Sequence, residues 1–362
     1  MAADRRTARQ AVLGARLEAD GLDALLVTHL PNIRYLTGFT GSSALLLCRR
    51  DSCTLISDFR YEVQATQEVG LVAAVEIDPV NIWDRLAKIV ADRRIGVLGI
   101  ESAVLSLREY ERLGALVRAK LVSTNGLVER QRAVKDDEEV AAIRAAGALA
   151  HEALAGVLRT VRVGQRELDI AARLEHELRR LGSEWHPFQT IVASGPRAAL
   201  PHARSSEREV QAGELLLIDF GAILDGYASD ITRTVVVGGK ADARQREVYD
   251  AVRDAQLRAR THIRAGMTGR DADALARDPL TRRGFGPAFG HSLGHGLGLE
   301  VHEGPRLAAT NSDPLPAGAV VTVEPGVYLP GWGGVRLEDD VVLHADRTEL
   351  LTDGRTELVE LT

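Results

Sequence analysis

The sequence predicts two domains in series, an α/β domain over residues 1–128 and an α+β domain over residues 129–362. Three observations carry this expectation. A chain of 362 residues exceeds one domain of ordinary size, at roughly 150 residues each. Up to about residue 125, short apolar runs alternate with helical stretches, as in an α/β layer structure. Beyond residue 136, long helical periodicities are followed by groups of strand-like runs.

In the N-terminal part, DALLVTH, SALLLC, CTLIS and IGVLGIE read as strands, and residues 4–19, 60–69 and 82–93 as helices. The only cysteines, Cys48 and Cys53, flank a polar turn at Arg50 and Asp51. A two-residue turn there makes them face each other across a hairpin. In a reducing compartment they are expected to be buried thiols.

Composition bounds the function. With 45% hydrophobic and 27% charged residues, the chain can bury a core. A net charge of −6 argues against nucleic acid or an anionic membrane as the main partner. No apolar run follows the basic residues of MAADRRTARQ, so no secretory signal is expected. No run of 18 apolar residues suggests a membrane span. A cytoplasmic location is the expectation.

A connector at 125–132 leads into a helix that starts with a capping box, Asp136 with Glu139 three residues on. The second part holds a faint repeat. Arg162-Val-Gly164 precedes Glu167-Leu-Asp169-Ile-Ala-Ala-Arg173, and Arg264-Ala-Gly266 precedes Asp271-Ala-Asp273-Ala-Leu-Ala-Arg277. Two acidic helix starts after a glycine can agree by chance; a true duplication would build a cleft between two halves.

Three clusters carry chemistry. In LLLIDFGAILDGYASDITRTVVV (215–237), Asp219 lies inside an apolar strand and Asp230 starts the next. Such carboxylates are costly unless paired, hydrogen-bonded or metal-bound. One of them capping a turn, with the other paired to Arg233, is the structural alternative. In FGHSLGHGLGLEVHEGP (289–305), His291, His295 and His302 fall within twelve residues. Neutral imidazole is a metal ligand and a proton carrier near pH 7. In VVTVEPGVYLPGWGGVRLEDDVVL (320–343), Glu324 ends a strand, and Glu338 is expected to face inward with Arg336 on its face. Asp339 and Asp340 read as a solvated acidic turn. Carboxylates with one imidazole suit Mn²⁺, Co²⁺, Fe²⁺ or Zn²⁺. Two such ions can share bridging carboxylates, hold a hydroxide and polarise a carbonyl.

The order Asp219, Asp230, His295, Glu324, Glu338 resembles the pita-bread metallopeptidases, which include methionine aminopeptidase, aminopeptidase P and prolidase. Pro201-His202, HSLGHGLGLEVHEGP, VEPGVY and GVRLEDD are similar to the aminopeptidase P/prolidase branch, and PNIRYLTGF and SDFRYEVQA to its small bacterial two-domain members. The resemblance implies a ribonuclease-H-like, creatinase-type N-terminal domain and an α+β pita-bread catalytic domain. It implies two divalent ions, Mn²⁺ first among them. Asp219 would chelate one ion, Asp230 and Glu338 would bridge, and His295 and Glu324 would bind the other. Glu324 would also accept the proton of the attacking water. His202, His291 and His302 would contact substrate or the tetrahedral intermediate, and Arg336 would order the site through Asp230 or the substrate. The implied partners are peptides with proline second, and a second copy of the chain in a homodimer.

The reading preferred on sequence is an Xaa-Pro aminopeptidase. The close rival is an Xaa-Pro dipeptidase, which shares every motif and differs in gripping the substrate carboxylate. Methionine aminopeptidase fits less well because of the N-terminal domain. A metal-free hydrolase and a non-catalytic binding module fit less well because all five ligand positions are filled.

Overall fold

The computed structural model describes residues 4–352 and 355–362. The chain divides into two compact units, one through Arg132 and one from Ala133. The break falls just after the expected 128/129. The intervening helix belongs to the first unit, because Asn32 donates to Glu129 at 2.7 Å and Arg132 donates to Asn32 at 2.8 Å.

The N-terminal unit is built on six strands, β1 (Ala24–Val27), β2 (Ala44–Cys48), β3 (Cys53–Ser57), β4 (Ala74–Ile77), β5 (Val97–Glu101) and β6 (Lys120–Thr124). Their order is β4-β3-β2-β1-β5-β6. The β1–β2 and β2–β3 pairs are antiparallel and the others parallel. The helices are α1 (Arg5–Ala19), α2 (Leu30–Thr37), α3 (Glu62–Val69), α4 (Ile82–Asp92), α5 (Leu107–Leu116) and α6 (Glu129–Arg132). β1, β2 and β3 are buried along their whole length, which is why they read as continuous apolar runs. Trp83, Leu86, Ile89 and Val90 of α4 pack on this sheet. Cys48 and Cys53 are paired across β2–β3 as expected, both free, with their sulfurs 2.7 Å apart.

The second unit has two halves. The first contains α7 (Asp137–Leu158), α8 (Glu167–Leu181), β7 (Ile191–Ser194), β8 (Glu214–Phe220), the small ribbon β9 (Ile223–Leu224) and β10 (Tyr227–Ala228), and β11 (Ile231–Val237). The second contains α9 (Ala243–His262), α10 (Gly269–Arg282), β12 (Gly294–Gly296), β13 (Glu303–Leu307), β14 (Val320–Val323), β15 (Gly326–Leu329), β16 (Gly333–Arg336), β17 (Asp339–Leu343) and β18 (Thr348–Leu350). β19 (Val359–Leu361) returns to the first half's sheet, ordered β19-β11-β8-β7; the second half's sheet runs β13-β12-β14-β17-β18. α7 starts at the expected capping box, where Asp136 accepts from the amides of Glu138 and Glu139 at 3.0 Å. It is long and apolar enough to cross a bilayer by composition. Its Ala146, Ala150, Ala153, Leu154 and Val157 instead pack with α8 and the strands as a core helix.

The faint repeat is a repeat of backbone structure. Gly164 has φ 84° and Gly266 has φ 85°. Gly164 donates to Val210 O and Gly266 to Leu315 O, both at 2.8 Å. Val210 donates back to Gln165 O at 2.9 Å and Leu315 to Met267 O at 2.8 Å. Isolated bridges follow at Arg166 with Glu209 and at Thr268 with Pro314. Each turn then feeds a helix, α8 or α10, laid over its half's sheet.

Candidate active site

Antiparallel pairing of β8 with β11 sets Asp219 opposite Thr232, with Asp230 just before β11. The β9–β10 ribbon closes the intervening loop. From the second half come His295 on β12, Glu324 after β14, and Glu338 between β16 and β17. Glu338 is bridged to Thr232 of β11, which joins the halves. All nine residues singled out in the sequence line one cleft of about 540 Å³: Asp219, Asp230, His295, Glu324 and Glu338, with His202, His291, His302 and Arg336.

Ligand-type atoms of Asp230, His295 and Glu338 lie within 4.8 Å of one another. His295 Nε2 is 3.4 Å from Glu324 Oε1 and 3.8 Å from Asp230 Oδ2. Two threonines hold the carboxylates. Thr232 Oγ1 donates to Glu338 Oε2 at 2.6 Å, and Thr322 Oγ1 donates to Glu324 Oε1 at 3.2 Å. Arg336 is fully buried and donates to Asp219 Oδ2 at 2.5 Å, to the Tyr328 hydroxyl at 2.7 Å and to Thr232 Oγ1 at 3.0 Å. The sequence expectation has Arg336 acting through Asp230 or the substrate; the site carboxylate it bonds is Asp219, which β8 presents to it.

This cluster is electrostatically unbalanced as protein alone. Burial, then Glu338 and Asp219, push the Asp230 carboxyl far above its usual range. Burial, then Glu324 and Asp219, do the same to Glu338. Glu324 is pushed up to about 8, mainly by burial, with Arg336 opposing. Burial holds His291 and His295 down to about 4, so both rings are neutral near pH 7.

Donor chemistry tests whether cations fit. The His295 Nδ1 ring atom sits 3.0 Å from Gly296 O, which makes it the N–H and leaves Nε2 as a lone pair facing two carboxylates. A lone pair aimed at anions is unfavourable unless a cation lies between them. Asp219 Oδ1 and Asp230 Oδ1 are buried without a hydrogen-bond partner. Hard oxygens, orphaned and convergent, with one correctly protonated imidazole, fit divalent metal.

One sequence expectation fails here. Asp339 and Asp340 are not a solvated turn; both are 0% exposed in β17. Asp339 accepts from Arg233 at 2.7 Å, Arg260 at 2.9 Å and Gln256 at 2.6 Å. Asp340 Oδ2 accepts the backbone amide of Asp230 at 3.0 Å. An acidic pair after a strand looks polar in sequence, and only the arginines arriving from β11 and α9 reveal that it is interior. Sequence reading also missed Tyr328, Arg204 and Arg306. Tyr328 lies between Arg336 and His291, 2.9 Å from His291 Nε2. Arg204 and Arg306 line the cleft. Arg306 directly follows the HEGP run and pairs in register with His295 across β12–β13, so strand alternation from His295 was the available signal.

The comparisons agree with this architecture. Residues 141–345 match the model of metallopeptidase family M24, and residues 9–134 match the creatinase/prolidase N-terminal domain. The chain belongs to metallopeptidase family M24. It is a dinuclear metal-dependent peptidase with a creatinase-type N-terminal domain and a pita-bread catalytic domain. An Xaa-Pro dipeptidase of Pyrococcus horikoshii is 34% identical over 347 residues, 95% of this chain and 96% of the relative. The solved Xaa-Pro dipeptidase from Bacillus anthracis superposes with TM-score 0.95 at 39% identity, covering 98% of this chain and 100% of that one. The X-Pro aminopeptidase from Thermotoga maritima superposes with TM-score 0.90 at 39% identity, covering 96% and 100%.

Proposed function

We propose that this protein is a metal-dependent Xaa-Pro dipeptidase. This reverses the order preferred on sequence, where the aminopeptidase stood first. Relatives named as dipeptidases support it. Within the cleft, the carrying observation is Arg306. Its side chain makes no hydrogen bond or ion pair among the described residues, yet it lines the same cleft as the carboxylate cluster. A dipeptide presents its carboxylate one residue beyond the scissile bond, and a free guanidinium fork is the natural clamp for it. A longer peptide offers no charge at that place and leaves the arginine unpaired.

Asp219, Asp230, His295, Glu324 and Glu338 would hold the two ions, and Mn²⁺ suits their oxygen-rich set. When bound, the ions supply Lewis-acid polarisation of the scissile carbonyl and an activated water. The protein's own groups supply the rest. Arg336 holds Asp219 in place through its hydrogen bond to Oδ2. Glu324 would take the proton of the attacking water and return it to the departing proline nitrogen. The departing nitrogen would be a poor leaving group as an anion, so it must gain a proton as the C–N bond breaks. His291, held neutral and tied to Tyr328, is a donor or acceptor for the substrate rather than a charge.

The test is a length series with Mn²⁺, Ala-Pro against Ala-Pro-Ala. The dipeptide is expected to be cleaved with kcat/KM about a hundredfold higher, the worth of a lost pair of charge-assisted hydrogen bonds. Equal or better cleavage of the tripeptide would restore the aminopeptidase reading. Arg306→Gln should raise KM for Ala-Pro with kcat changed little, as expected for uniform binding.

A further inference from the structure

The N-terminal unit holds a second charged hollow that peptidase chemistry does not use. A cavity of about 260 Å³ is lined by Arg49 and Arg50 of the β2–β3 turn and by Arg93 and Arg94 at the end of α4. Glu18 and Asp23 are its only acidic lining. Four guanidiniums against two carboxylates is a local excess of positive charge in a chain of net charge −6.

The two carboxylates do not neutralise the excess. Glu18 is taken by Arg50, at 2.5 Å. Asp23 Oδ2 accepts the amides of Gly96 and Val97, each at 2.8 Å. Among the described residues, the side chains of Arg49, Arg93 and Arg94 make no ion pair or hydrogen bond. Arg49 Nε is buried without a partner, a desolvated donor that ordinary folding avoids. Arg94 is held at φ 52°, a conformation side-chain-bearing residues rarely adopt and one that recurs at ligand clamps.

We propose that this hollow binds a small phosphate-bearing anion of the pyrophosphate class, gripped between the turn arginines and those at the end of α4. Three unpaired guanidinium forks, Arg49 on one segment and Arg93 and Arg94 on the other, match two linked phosphoryl groups, since each fork can give two parallel N–H···O bonds. Leu22 and Ile95 are the only apolar lining, so there is no aromatic face on which a base would stack. The proposal is independent of the dipeptidase reading.

The probe is inorganic pyrophosphate, presented to the full-length, metal-loaded enzyme in magnesium buffer so that it does not strip the catalytic ions. Equilibrium dialysis should give one pyrophosphate per chain. Arg49→Gln and Arg93→Gln should each weaken binding about tenfold, and together more, with Ala-Pro hydrolysis unchanged. Both variants should melt at the wild-type temperature in the absence of pyrophosphate, since neither side chain has a partner to lose. No saturable binding, or equal binding by the double variant, overturns the proposal; equal binding would place the anion at the metal centre. A single-stranded oligonucleotide that displaces pyrophosphate at lower concentration than pyrophosphate itself also overturns it, in favour of a nucleic-acid surface.

Discussion

In the first half of the catalytic unit, Gly164 turns the chain into α8 and trades backbone hydrogen bonds with the segment at Val210; in the second, Gly266 does the same into α10 with Leu315. The scaffolds match, but the chemistry they present does not. The first half gives the cleft Asp219, Asp230 and His202. The second gives His291, His295, His302, Glu324, Arg336 and Glu338. The glycine-dense, histidine-rich run exists only in the second. Two copies of one backbone plan make a cleft with two walls, and unequal side chains on those walls make a site with distinct donors at each end. The halves are coupled where Thr232 of one holds Glu338 of the other.

The largest expected effect comes from removing a carboxylate from either wall. Asp230→Ala and Glu324→Ala should each lower kcat/KM for Ala-Pro by at least about a thousandfold, since a catalytic ion contributes several kcal/mol at about 1.36 kcal/mol per decade. If only the second-half change does so, the cleft is not shared between the halves.

Stability offers the next test. Asp339→Asn removes the common partner of Arg233 from the first half and Arg260 from the second, with Asp339 0% exposed. Breaking a buried pair in this way costs about 3–5 kcal/mol, measurable by denaturant unfolding. A loss below about 1 kcal/mol would remove Asp339 as the clamp between the halves.

Metal removal should expose the charge imbalance. A carboxyl raised in the fold binds its proton more tightly folded than unfolded, so its contribution is full below the unfolded value and is lost as pH rises through the folded one. For Glu324 that window runs from 4.5 to about 8, and Asp230 and Glu338 share the direction. The neutral His291 and His295 act oppositely, losing their contribution as pH falls from 6.5 towards about 4. The gap in Tm between Mn²⁺-loaded and chelated protein should therefore widen from pH 5 to 8. A gap that does not depend on pH would contradict this account of the cluster.

The smallest effect tests the repeat itself. A Cβ added at Gly164 or Gly266 would meet nothing within 4 Å, so Ala at either site costs only the left-handed conformation. Each should lose about 1–2 kcal/mol, and the two losses should be alike. Unequal losses would mean that the turns match in shape but not in load.

Legibility in the sequence divided along physical lines. The carboxylates and histidines that line the cleft stood out in the sequence because such residues in apolar or glycine-rich runs break local expectation. The strands β1 to β3 could be read because burial on both faces leaves continuous apolar runs. Asp339 and Asp340 could not, because their compensation arrives from residues 79 to 110 positions away. Arg336's choice of Asp219 over Asp230 depended on the same long-range register. Arg306 was hidden because an arginine on a short strand looks like any solvated one until the cleft beside it is seen. The repeat was faint because the second-half turn preserves backbone shape, and only its glycine is obligatory.

The claim that both halves build one two-ion site is tested most directly by counting bound Mn²⁺ per chain at equilibrium in wild type and in Asp230→Ala. Two ions in the wild type, and loss of at least one in the variant, is the predicted result. A variant that still holds two, or a wild type that holds none at saturating Mn²⁺, would contradict it.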